Sequence, residues 1–125
     1  MTKRILVAED SSVIQNLTKR VLAMQKYEVV IVKNGAEVIN KLSSDNYDLV
    51  LLDIHMPVMD GMECAKKIRS LPDKNSKIPI IAITGNANNY SIEDFKSSGI
   101  NEYLPKPLNY DNLVETVKKY LINGN

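Results

Sequence analysis

The chain has 125 residues, 44% of them hydrophobic and 25% charged, enough for one ordinary core and too little for two. Sixteen Lys and Arg residues against fifteen Asp and Glu residues give a formal charge of +1, so there is no general attraction for nucleic acid and any charge that matters is local. A single cysteine, Cys64, and a single histidine, His55, exclude a disulfide framework and multi-imidazole zinc sites.

In chain order, the apolar run at 5–8 reads as a first strand. Val13, Leu17, Val21 and Met24 follow at helical spacing, with Ser11 and Ser12 as candidate caps. The run at 29–32 is a second strand, and Ala36, Ile39 and Leu42 form a second helical stripe after Asn34-Gly35. A third strand at 49–52 precedes Met62, Ala65 and Ile68, with Cys64 as a small buried residue on the same helix. A fourth strand is expected at 78–83. The fourth helix, at about 88–98, offers only Tyr90, Ile92 and Phe95 as apolar residues and is expected to be the least firmly packed, with Gly99 placed to end it in a left-handed conformation. A short fifth strand at 103–104 leads to a fifth helix carrying Leu113, Val117, Tyr120 and Leu121 behind Asn109 as N-cap.

The strand runs are rich in Ile and Val and lack polar alternation, as in strands covered on both faces. Alternation repeated five times makes this an α/β chain with a parallel sheet and helices on both faces. The expected architecture is flavodoxin-like and doubly wound, with five strands in the order 2-1-3-4-5 and right-handed connections. No linker interrupts it, so residues 1–125 read as a single domain. No apolar run approaches the ~20 residues of a membrane span, and Met1-Thr2-Lys3-Arg4 lacks a secretory pattern; a cytoplasmic location is expected.

Ligands of such a fold bind beyond the carboxyl ends of the strands where the strand order reverses, here between the first and third. Glu9-Asp10 and Asp53 leave those two strands, Thr84 leaves the fourth, and Lys106-Pro107 follows the fifth. Two carboxylates ~4 Å apart repel by about 4 kcal/mol at an effective dielectric near 20, so three need a cation or a retained proton. Hard oxygen donors on a partly open site favour Mg²⁺. With the charge offset, one carboxylate can attack a phosphoryl group whose peripheral oxygens Thr84 and Lys106 hold. Singly, each residue has an ordinary reading: an acid after a strand is often a helix cap, and Lys-Pro is usually a turn. Their convergence on four neighbouring strand ends is what points to a Mg²⁺-assisted aspartyl-phosphate site.

Four segments carry a likeness to a known family: Ile5-Leu6-Val7-Ala8-Glu9-Asp10, Asp48-Leu49-Val50-Leu51-Leu52-Asp53-Ile54-His55-Met56-Pro57-Val58-Met59-Asp60-Gly61, Pro79-Ile80-Ile81-Ala82-Ile83-Thr84-Gly85, and Tyr103-Leu104-Pro105-Lys106-Pro107. Over nearly its whole length the chain resembles the response-regulator receiver domains of two-component signalling, of the chemotaxis-regulator type. The likeness implies Asp53 as phospho-acceptor, with Asp10, Asp53 and the backbone carbonyl of His55 as direct Mg²⁺ ligands and Glu9 acting through a metal-bound water. Thr84 and Lys106 match the phosphoryl-binding hydroxyl and lysine, and the Lys106-Pro107 bond is expected to be cis. The donor would be a phosphohistidine on a histidine kinase or histidine phosphotransfer protein. The acyl phosphate would then be hydrolysed by the receiver itself, which is not conventional multiple-turnover catalysis.

The same likeness implies a switch, in which Thr84 moves toward the phosphoryl group, Tyr103 turns inward, and the surface of the fourth helix, fifth strand and fifth helix changes shape. His55 and Asn86 would overlook the phosphoryl group and tune its lifetime; the His55 ring either points to solvent or touches the phosphoryl group or its attacking water. Ile14 and Leu108 are the side chains such domains present to a donor's helical bundle, although core packing explains Ile14 about as well. Met56, Met59 and Met62 read as loop anchoring and core filling. An aspartyl-nucleophile phosphohydrolase dependent on Mg²⁺ is the enzyme rival, but many such enzymes carry a second aspartate where this chain has His55, and there is no room for a substrate-capping domain. A nonphosphorylated interaction module is the third reading, against which stands the complete acceptor set. A monomer is expected, with weak dimerisation left open, and the downstream partner is a protein that the sequence does not identify. Stand-alone regulator and receiver of a hybrid kinase both remain open.

Overall fold

Each apolar run forms a strand in the computed structural model, which describes residues 2–85 and 91–123. The strands are β1 (Arg4–Ala8), β2 (Glu28–Val32), β3 (Leu49–Asp53), β4 (Ile80–Thr84) and β5 (Glu102–Pro105). They make one sheet in the order β2-β1-β3-β4-β5, with every neighbouring pair parallel. The expected start of the fourth strand at residue 78 is two residues early. Asn75 belongs to a 3₁₀ turn (Lys74–Lys77) that Ile78 caps by donating its N–H to the Asn75 carbonyl at 3.2 Å. Pro79, with no N–H to give the ladder, separates that turn from β4.

Successive strand residues point to opposite faces, and here the faces are two cores. Leu6, Ala8, Val50, Leu52, Ile80 and Ala82 pack on one side, Ile5, Val7, Leu49, Leu51, Ile81 and Ile83 on the other. The second core is closed by α1 (Ser12–Met24) through Leu22 and by α5 (Tyr110–Asn123) through Leu113, Val117 and Leu121. The first is closed by α2 (Gly35–Ser44), α3 (Gly61–Arg69) and α4 (Ile92–Ser97), through Val38, Leu42, Met62, Ala65, Ile68 and Phe95. Each fully buried Leu or Ile contributes ~1.5–3 kcal/mol, which is why both faces are covered before any site can form.

The helix starts follow their caps. Ser11 and Asn109 accept the N–H groups of Ile14 and Asn112, as the sequence suggests, and Asn34 likewise accepts that of Glu37. For α4, Ser91 is the N-cap in a reciprocal box with Asp94, so the helix begins at Ile92, later than the expected residue 88. Asn86 and Tyr90 lie outside the described residues. Among the described residues of α4 only Phe95 is buried, Ile92 is 57% exposed, and Gly99 follows with φ +90°, consistent with the expected loose packing and αL stop.

The first helix departs from expectation. Of the expected stripe Val13, Leu17, Val21 and Met24, the first, second and fourth face solvent, at 65%, 42% and 76% exposure, and Val21 is half-buried, while Thr18 and Leu22 are buried. The buried face is therefore turned by about one residue, roughly 100°, from the face with most apolar residues. The reason is Thr18: a polar residue occupies the centre of the true core face, so counting apolar residues selects the wrong one.

Candidate functional site

Parallel pairing sets the carboxyl ends of β1, β3, β4 and β5 side by side. Ala8 pairs with Leu52, Asp53 with Ile83 and Thr84 with Pro105, so Glu9, Asp53, Thr84 and Lys106 emerge along one rim. The Lys106 N–H donates to the Thr84 carbonyl at 2.8 Å, and the Lys106–Pro107 bond is cis. Gly61, opening α3, seats that helix against the acceptor strand: a Cβ there would lie 2.8 Å from the Asp53 carbonyl oxygen and from Ile54 Cα, so only glycine fits.

Carboxylate oxygens of Glu9, Asp10 and Asp53 lie within 4.8 Å of one another; Glu9 and Asp53 are buried and Asp10 is exposed. Asp53 Oδ1 accepts the His55 N–H at 3.0 Å, and Oδ2 accepts from Lys106 Nζ at 3.2 Å. Glu9 Oε2 accepts the Ser11 N–H at 2.9 Å. Its Oε1 lies 3.8 Å from Lys106 Nζ and, among the described residues, accepts no hydrogen bond. Burial pushes the Glu9 carboxyl up to about 7, against the Ser11 N–H, with the Asp53 charge adding to the rise. One ammonium thus lies against two of the three clustered carboxylates. Their hard oxygens, a buried oxygen without a donor, and an opening beside Asp10 together suit a small divalent cation.

The remaining expected residues are placed as follows. Thr84 is buried, and strand alternation sends its side chain to the face shared by Ala82 and the latter's partner Tyr103. Tyr103 is half-buried, its ring stacked on that of Phe95 with centroids 4.9 Å apart and planes 18° from parallel. His55 is exposed, Ile14 is half-buried, and Leu108 packs against the core under α1 and α5. Sequence reasoning missed two features. The Phe95–Tyr103 stack leaves no local sequence signal beyond the presence of the chain's one Phe four residues before Gly99. The exposed Val13–Leu17 patch beside the crevice carries a signal, but one that also fits burial.

A family model described as "Response regulator receiver domain" matches residues 5–118. The chain belongs to that family. This receiver is 37% identical over 119 residues to the CAI-1 autoinducer sensor kinase/phosphatase CqsS of Vibrio cholerae, a match covering 95% of the receiver but 17% of the kinase. It is 30% identical over 121 residues to the polar-differentiation response regulator DivK of Brucella anthropi, covering 97% of the receiver and 98% of DivK. Among solved structures, the response regulator TrrA of Thermotoga maritima in complex with Mg²⁺-BeF superposes with a TM-score of 0.85 at 40% identity, covering 96% of the receiver and 100% of TrrA. Receivers thus occur both alone and inside much longer kinases, and phosphorylation on an aspartate with Mg²⁺ is their general function in two-component signalling. No helix among the described residues is long and apolar enough to cross a membrane.

Proposed function

We propose that residues 1–125 act as one cytoplasmic, monomeric receiver unit whose phospho-acceptor is Asp53. The observation that carries this reading is the position of the Asp53 carboxylate: 1% exposed, held on one side by the His55 N–H and on the other by Lys106 Nζ. Its two oxygens are fixed in orientation, and the cost of burying its charge is offset by a lysine that can turn to an incoming phosphoryl oxygen.

Glu9, Asp10 and Asp53, with the His55 carbonyl, would hold Mg²⁺, which when bound offsets the carboxylate charge and draws phosphoryl oxygens. In the transfer, an Asp53 carboxylate oxygen attacks phosphorus; the new P–O bond forms as the donor's P–N bond breaks, its electron pair stays on the ring nitrogen, and a donor ring already protonated at its other nitrogen leaves as neutral imidazole. Lys106 and the Thr84 hydroxyl take the peripheral oxygens. Hydrolysis reverses the charging: water attacks phosphorus, the P–O bond to Asp53 breaks, and phosphate departs. His55 and Asn86 tune how quickly that water arrives. Thr84 and Tyr103 share a face of the sheet, and Tyr103 stacks on α4, which supports a switch transmitted from the phosphoryl group to the α4-β5-α5 surface.

The donor is a histidine kinase or phosphotransfer protein, seated on Ile14 and Leu108 together with Val13 and Leu17. Helix α1 starts two residues after Asp10, behind its Ser11 cap, so a donor reaching Asp53 past the exposed Asp10 lies across the exposed apolar start of that helix. The test is incubation with Mg²⁺ and a small phosphodonor, followed by intact mass. A gain of about 80 Da that disappears in Asp53→Asn is expected; an undiminished gain in that variant removes Asp53 from the role.

A further inference from the structure

The amino end of the sheet, opposite the acidic crevice, holds a cavity of about 480 Å³ lined by Arg69, Ser76, Lys77, Lys96, Gly99, Ile100 and Asn101. Its charged residues are three cations and no acid. The three come from the end of α3, the 3₁₀ turn and the last turn of α4, and among the described residues none forms an ion pair.

Arg69 explains why the positive charge stays available. Its guanidinium donates from Nε and Nη2 to the Gly99 carbonyl at 3.0 and 2.6 Å, from Nη1 to the Ser76 and Ile78 carbonyls at 2.9 and 2.7 Å, and from Nη2 to Asn101 Oδ1 at 3.0 Å. All five N–H groups are used, and every acceptor is neutral. The charge is solvated by carbonyl dipoles but no carboxylate neutralises it. A Cβ at Gly99 would fall 2.5 Å from Arg69 Cγ, so glycine is what lets the side chain reach this position.

The hydrogen-bonding capacity of the lining is equally one-sided. Arg69 occupies the Gly99 and Ser76 carbonyls. Asn101 Oδ1 also accepts the Ile80 N–H at 2.8 Å; facing two donors, the amide oxygen is fixed inward and Nδ2 turned outward. What remains is Asn101 Nδ2, the Ser76 hydroxyl, Lys77 Nζ and Lys96 Nζ, all able to donate. Cations near helix C-termini ordinarily balance the macrodipole, about −0.5 charge per helix. Two helix ends therefore call for roughly one positive charge, and this cavity has three.

We propose that this cavity binds a small phosphorylated molecule of nucleotide size. An open depression whose volume lies within the ~300–1,000 Å³ of small-ligand sites, with two lysines, an amide N–H group and a hydroxyl left to donate, matches a phosphate group with several oxygens, which accepts from lysines as point charges. The binding is independent of Asp53.

The experiment is an amide-shift titration of the full chain by NMR, with ADP as probe, in chelator and without divalent cation. Saturable shifts at Lys77, Gly99, Ile100 and Asn101 are expected, competed by inorganic pyrophosphate and weakened by salt. In Lys77→Ala/Lys96→Ala, two exposed positions, affinity should fall about tenfold or more, while Asp53→Asn should leave it unchanged. Absence of saturable shifts at millimolar ADP overturns the proposal, as do shifts confined to residues 53–55 and 106 or an affinity unaltered in the double lysine variant. It is equally overturned if a glutamate-rich peptide moves these amides and ADP does not.

Discussion

Val58 lies in the loop between Asp53 and α3 with φ +72°, and the Met59 N–H donates to the Pro57 carbonyl at 2.7 Å. That three-residue closure is a γ-turn with its central residue at positive φ, the strained form, and a β-branched residue suits it poorly. The strain of an L-residue on the left-handed side is ~1–2 kcal/mol. Val58 is 81% exposed, so replacing it by glycine forfeits almost no burial. Glycine adds unfolded-state freedom that costs about 0.5–1 kcal/mol, leaving Val58→Gly more stable by roughly 0.5–1 kcal/mol. For a chain of this size that raises Tm by about 2–4 °C, and the urea midpoint should rise with an unchanged slope. Val58→Ile, which keeps the branch, should show no gain. A Val58→Gly protein equal to or less stable than the parent, at the same slope, would refute the assignment of strain to this residue.

Three other outcomes are expected. Thr18 Oγ1 is buried without a hydrogen-bond partner among the described residues, so Thr18→Val should stabilise by about 1 kcal/mol, read from urea unfolding; a destabilised variant means the hydroxyl is satisfied. A double-mutant cycle over Phe95→Leu and Tyr103→Leu should return a coupling of ~0.5–1.5 kcal/mol, and additive losses would mean that the stack contributes nothing beyond burial. Val13→Ser/Leu17→Ser should slow phosphoryl transfer from a phosphohistidine protein about tenfold or more without altering labelling by a small phosphodonor; equal slowing by both routes would place the defect in the crevice rather than in docking.

The sheet was legible because parallel strands buried on both faces leave uninterrupted Ile, Val and Leu runs, and once the strand order is inferred it dictates where Glu9, Asp53, Thr84 and Lys106 meet. Caps such as Ser11 and Asn109 were legible because the hydrogen bonds they make are local. The unread features depend on distant partners. Thr18 faces the core because of what lies under α1, and Asn75 is buried because its Nδ2 donates to the Leu42 and Asp45 carbonyls at the end of α2. Tyr103 finds Phe95 only after β5 joins the sheet. Val58 runs against propensity outright, since a β-branched residue is the last choice for positive φ, and the turn closed by Met59 holds it there.

The acids of the crevice are contributed early in the chain and the ammonium that partly offsets them late, from beyond the edge strand β5. During synthesis, residues 9, 10 and 53 leave the ribosome long before residue 106, and a nascent or truncated polypeptide carries the repulsion without its remedy. The pocket gains its one lysine only when the edge of the sheet has zipped on.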